Sequence, residues 1–223
     1  MVISSTDPFK VFNDLKGKLT VIAARPGVES PRFLVDIINN CNGRKVLFNL
    51  ESASSLFKDK IPEDAIEFII SPMMIEEIRK MCEAMSKLKL SLVLIDYLQL
   101  VGTERIFDNF VEEQTFIVKE LKSIAVDFNV SVIVLSMLPK YIDQREDKIP
   151  RLNDVKTYVR FTADVILFLC KDNFLPELII AKNYNERLSN IRLSFDNRGH
   201  SFRFLGSSEE RLSFMSIFNE NYY

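Results

Sequence analysis

Three short stretches of the chain hold residue types that could act together on a phosphate group. The first is Arg25-Pro26-Gly27 followed by Val28-Glu29-Ser30-Pro31; the others are two carboxylates, Glu51 and Asp96, each just beyond an apolar run. A glycine turn between a strand and a helix lets backbone N–H groups and the positive end of the helix surround an anion. A working loop of this type also needs Gly-Lys-Ser/Thr where turn meets helix. The glycine lets the backbone approach, the lysine neutralises the phosphates, and the hydroxyl holds Mg²⁺. Those places hold Glu29, Ser30 and Pro31, and none of the three can do the required task. The stretch Leu19–Ile38 therefore has the shape of a phosphate site without the residues that bind phosphate.

The elements that must position these residues are legible in the apolar pattern. Thr20–Ala24 is β-branched and apolar, as a buried parallel strand is. A helix is expected from near Pro31 through Phe33, Leu34, Ile37 and Ile38, with Ser30 as N-cap and Pro31 in the first turn, where no N–H is needed. Lys45–Leu50 reads as a strand leading to Glu51, Ser91–Ile95 as one delivering Asp96, and Val130–Leu135 as one ending at Ser136. Ala65–Ile70, Ala163–Leu169, Glu177–Ala181, Asn190–Phe195 and Ser201–Phe204 are further strand candidates. Helices are expected over Met73–Leu88, opened by Pro72, and over Phe107–Phe128, the longest. A helical turn is expected at Ala53–Lys58, and Asp7-Pro8 can start a short helix whose Phe9, Phe12 and Leu15 share one face. Pro139–Leu152 is polar and charged and reads as a mobile loop. Strands alternating with helices predict an α/β domain: a mainly parallel sheet with helices on both faces and antiparallel strands at the C-terminal edge. In such a sheet, carboxylates at the C-terminal ends of strands face the crevice.

Composition narrows the field. The net charge of −2 over 223 residues gives no support for dominant nucleic-acid binding. Lys140, Arg145, Lys148 and Arg151 are interleaved with Asp143, Glu146 and Asp147, the pattern of a solvated loop. Cys41, Cys82 and Cys170 form no CxxC pair, which fits small buried hydrophobes in a reducing cytoplasm. His200 is the sole histidine, so histidine-based catalysis and metal sites have little material. No apolar run is long enough to span a bilayer. The expected division is an N-terminal extension over residues 1–18, one domain over 19–206 and a tail over 207–223.

From about Leu19 to Phe204 the chain resembles the C-terminal, RecA-like motor domain of DnaB-type replicative helicases, a P-loop NTPase fold. Four stretches carry the resemblance: VIAARPGVESPRF, LVLIDYLQLV, DKIPRLNDVKTYVRFTADVILFLCKD and ELIIAKNYN. It implies that Glu29, Ser30 and Pro31 stand where the family has its Gly, Lys and Ser/Thr. It further implies that Glu51 stands where a carboxylate polarises water and Asp96 where the Mg²⁺-associated aspartate lies. Met137 takes the place of the glutamine that senses the γ-phosphate. Lys182 keeps the lysine offered to a neighbouring subunit, and Tyr184 replaces the arginine finger. Arg25, Pro26, Gly27, Glu29, Ser30, Pro31 and Lys182 are thus positions of a degenerate nucleotide site, and Glu51 and Asp96 are retained relics.

Losses in three mechanistic roles leave little room for a motor. The expectation is a non-catalytic protein of replication, recombination or mobile-element maintenance, with no ATP, Mg²⁺ or other metal. It would dock on a protein partner such as a replicative helicase or its loader. Weak DNA affinity, no membrane association, a cytoplasmic location and a monomer or small oligomer complete the expectation. The alternatives are an ATP-dependent helicase or ATPase with an unconventional site, and a DNA-binding module without NTPase activity.

Overall fold

The structure is a computed structural model describing residues 9, 12, 14–25, 28, 30–51, 60–69, 71–172, 175–184, 190–196 and 201–205. The expected helical turn at Ala53–Lys58 lies outside these residues. The chain opens with β1 (Leu19–Ala24), α1 (Ser30–Asn40), β2 (Arg44–Asn49), β3 (Ala65–Ile69), the two-residue β4 (Met73–Met74) and α2 (Ile75–Ser86). It continues with β5 (Leu90–Asp96), the short β6 (Val101–Gly102), α3 (Phe110–Asp127), β7 (Ser131–Met137) and α4 (Thr157–Thr162). The last strands are β8 (Val165–Asp172), β9 (Leu175–Lys182), β10 (Asn190–Asp196) and β11 (Ser201–Phe204).

Nine strands form one sheet in the order β11-β10-β9-β8-β1-β7-β5-β2-β3. From β8 to β3 every neighbouring pair is parallel. From β8 outward to β11 the pairs are antiparallel, so the expected antiparallel edge is present. All residues of β1 and β5 are buried, because helices cover both faces. Alternate residues serve the two sides. Ile22, Ala24, Leu92, Leu94, Ile133 and Leu135 pack with α1, whereas Val21, Ala23, Val93, Ile95, Val132 and Val134 pack with α2 and α3.

The face carrying α1 is closed by an aromatic cluster. Phe33 of α1 is fully buried, and its ring centroid lies 5.4 Å from Phe9, 6.2 Å from Phe12 and 5.4 Å from Phe202. The segment read as an N-terminal extension thus contributes Phe9, Phe12 and Leu15 to the main core. At the turn from α1 to β2, Gly43 has φ +82°, and a Cβ there would come within 2.8 Å of Ser91 Oγ, so backbone and space both require glycine.

Several local expectations need correction. The second helix starts at Ile75 rather than Met73, because Met73-Met74 pair with Val101-Gly102 as a small second sheet. The helix expected from Phe107 starts at Phe110, where the Asn109 side chain accepts the Glu112 N–H at 3.0 Å. Nothing in the apolar pattern announces α4. The charged loop is not a loose one: it holds short 3₁₀ segments at Lys140–Gln144 and Leu152–Asp154 and is organised by the buried Asp154. That carboxylate accepts from Arg145 Nη1 at 2.7 Å, the Tyr141 hydroxyl at 3.0 Å and the Arg151 N–H at 2.7 Å.

Candidate functional site: the crevice at the strand ends

The C-terminal ends of four parallel strands open onto a cavity of about 280 Å³. β1 supplies Ala24 and then Arg25, and α1 supplies Ser30 and Pro31. Glu51 stands just past β2, Asp96 ends β5 with Tyr97 beside it, and Leu135, Ser136 and Met137 come from β7. Six of the residues singled out from sequence, Arg25, Ser30, Pro31, Glu51, Asp96 and Met137, are therefore brought together. Pro26, Gly27 and Glu29 lie outside the described residues. Lys182 is elsewhere.

Each wall has a distinct local cause. α1 begins at Ser30, one residue earlier than expected, so Pro31 is its second residue. It still lies in the first turn, where N–H groups have no intrahelical acceptor and would otherwise be free to donate to an anion. Proline removes one of them. Arg25 turns to the rim, where its guanidinium forms an ion pair with Asp143 of the charged loop.

On the opposite wall the Asp96 side chain is almost completely buried while Glu51 is exposed. Burial, and next the nearby Glu51, push the Asp96 carboxyl up to about 7. The Tyr97 hydroxyl is raised in the same way, by burial first and then by Glu51 and Asp96.

The β7 wall is fixed by a residue the sequence reasoning passed over. Gln99 accepts the Met137 N–H at 3.3 Å and donates to Ser136 Oγ at 3.0 Å, clasping the strand end. Its only sequence signal is its place in the LVLIDYLQLV stretch. Asp143, the partner of Arg25, reads in sequence as one charge among several in a solvated loop.

Lys182 serves another end. Its Nζ donates to the Arg160 carbonyl at 2.8 Å and to the Ala163 carbonyl, the free acceptors at the end of α4. Burial lowers its pKa, and Asp164 partly opposes this. Tyr184 carries the Lys18 ammonium 4.4 Å above its ring.

A nucleoside triphosphate with Mg²⁺ needs cationic and N–H donors on the loop side and a carboxylate on the other. Among the described lining residues the loop side offers a serine hydroxyl, a proline without N–H and an arginine already paired. These donors do not fit that group. Among the described residues no three His, Cys, Asp or Glu side chains are grouped to hold a metal. No helix among them is long and apolar enough to cross a membrane.

Residues 64–204 match the family described as DnaB-like helicase C terminal domain. The chain belongs to this family. The match takes in the Asp96 wall and begins after α1 and Glu51. This DnaB-like domain is 36% identical over 141 residues to the replicative DNA helicase DnaC of Bacillus subtilis, covering 57% of this chain and 31% of the relative. It is 27% identical over 237 residues to the replicative DNA helicase DnaB of Geobacillus stearothermophilus, covering 84% of this chain and 52% of the relative. The DnaB-like domain thus spans about a third to a half of the length of these curated relatives.

Two solved structures share its fold. One, described as a DnaB-like replicative helicase and its interactions with primase, has a TM-score of 0.77 at 23% identity, covering 86% of this chain and 58% of that one. The other, described as an ATPase domain, has a TM-score of 0.75 at 24% identity and covers 86% of both chains.

Proposed function

We propose that this DnaB-like domain acts without catalysis, as an interaction or regulatory factor in DNA replication, recombination or mobile-element maintenance. The observation that carries this reading is the α1 wall of the crevice. Ser30 and Pro31 line it where phosphate would need an ammonium and a free N–H. Phosphoryl transfer depends almost entirely on such electrostatic positioning. Two further positions point the same way. Met137 holds no amide with which to sense a γ-phosphate, and Lys182 is engaged by the carbonyls at the end of α4. A finger in trans is worth on the order of 10³–10⁵ in rate, and Tyr184 cannot supply it.

The partner is a protein of the replication machinery: a complete replicative helicase, its loader or, as with the solved relative described with primase, a primase. The domain works in the cytoplasm as a monomer or small oligomer. DNA affinity is weak, because Arg145 and Arg151 are held by Asp154 and Asp147.

The deciding experiment is ATP hydrolysis by the purified chain with and without single-stranded DNA. No turnover above background is expected. DNA-stimulated hydrolysis abolished by Glu51→Gln would instead establish the second reading, an ATPase with an unconventional site. That reading is favoured by one observation: Glu51 and Asp96 do line the same cavity. Tight single-strand binding at physiological salt, lost on neutralising Lys140, Arg145, Lys148 and Arg151, would point to a DNA-binding module.

A further inference from the structure

We propose that the crevice takes a cation, the guanidinium or ammonium of a basic side chain on a protein partner, in place of a phosphate. This rests on the non-catalytic reading and names what the site recognises. The described ionic groups of the lining are Arg25, Glu51 and Asp96, and Arg25 is already neutralised at the rim by Asp143. Among the described residues, what remains facing the cavity is negative.

Asp96 supplies the second observation. Its side chain lines the cavity, the residue is only 2% exposed, and no described residue donates a hydrogen bond to its carboxylate. Only the backbone is used, the Asp96 carbonyl accepting the Leu50 N–H at 2.7 Å. A buried carboxylate without donors is costly, and a donor-rich cation is the group that relieves it. A guanidinium presents several N–H groups in a planar fork matched to a carboxylate and stacks on aromatic rings, and Tyr97 adds such a ring to the lining.

Size agrees. A cavity of about 280 Å³ lies just under the ~300–1,000 Å³ of small-molecule sites and suits one inserted side chain. A metal ion is a poorer occupant, since the described residues group no three ligands for it.

The test is NMR titration of the whole chain with N-acetyl-arginine amide, using N-acetyl-citrulline amide as the uncharged isostere. Saturable shifts at Tyr97, Ser136 and Met137 are expected with the arginine probe. They should weaken at least about tenfold in Asp96→Asn. Glu51→Gln should weaken them less, which guards against a folding defect in the first variant. Equal shifts with citrulline, no saturable shift with arginine, or displacement of the probe by Mg-ATP would each overturn the proposal. Tighter binding of spermidine than of the arginine probe would reassign the crevice to a free polyamine and overturn it as well. ATP turnover is measured on the same preparation. Failure to bind arginine without turnover sinks this inference alone, whereas turnover sinks the non-catalytic reading.

Discussion

The two ends of the first helix meet different demands. Along its length, α1 is a core element: Phe33, Leu34, Ile37 and Ile38 are buried, and Phe33 anchors an aromatic cluster drawn from both ends of the chain. At its N-terminus, where an anion would be bound, α1 lines the crevice only with Ser30 and Pro31, which bring no cationic side chain into it and one N–H fewer. The far wall of the crevice shows the converse. Asp96 keeps a carboxylate at the end of a fully buried strand although burial opposes its charge. Packing constrains the body of α1 independently of ligand binding, so the fold persists while the helix tip changes its chemistry.

The largest expected effect falls on the packing side of this contrast. Phe33→Ala should cost about 3–5 kcal/mol in urea unfolding, because the cavity would open where three aromatic rings meet. A loss below about 1 kcal/mol would show that α1 is not a core element. Next is Asp96→Asn. The Asp96 carboxyl titrates at 3.8 when unfolded and about 7 here, so between these values the folded state holds a proton that the unfolded chain has lost. Stability therefore falls as pH rises from about 4 to about 7 and is then flat. The amide should leave stability unchanged below pH about 4 and raise it by roughly 3–4 kcal/mol above pH about 7. Thermal unfolding against pH checks this, at roughly 2–4 °C per kcal/mol.

A smaller gain is expected from rebuilding the helix tip. Glu29→Gly, Ser30→Lys and Pro31→Thr together restore Gly-Lys-Thr and should tighten Mg-ATP binding by about tenfold or more, about 1.4 kcal/mol, in calorimetric titration. Turnover should stay absent, because Met137 and Tyr184 remain. If the parent chain already binds ATP at micromolar affinity, the two walls do not differ as described. The smallest effect is Lys182→Ala, which frees the carbonyls of Arg160 and Ala163 and should cost about 1 kcal/mol without changing ATP binding.

What could be read from residues alone follows from physics of short range. β1, β2, β5 and β7 announce themselves as apolar runs, and a carboxylate just after such a run lands at the strand's end, as Glu51 and Asp96 do. α4 is illegible because Thr157-Tyr158-Val159-Arg160-Phe161-Thr162 favours strands by composition; it is a helix through its packing on α3 and the capping by Lys182. The charged loop misleads because Arg145, Tyr141 and Arg151 meet Asp154 through the fold, with no periodicity to announce it. The ion pair of Arg25 with Asp143 joins residues far apart in sequence and has no local signature.

The strand order has a consequence for the nascent chain. β1 is synthesised before the other described strands, yet it lies between β7 and β8, with Leu19 paired to Val132 and Thr20 to Val165. At about 5–20 residues per second, translation leaves this apolar segment without its neighbours for on the order of ten seconds. Closing such long loops before any pairing is gained makes folding slow. The central strand thus spends its first moments as an unsatisfied adhesive segment, and a chaperone that shields it until residue 165 has emerged would govern the yield of native protein.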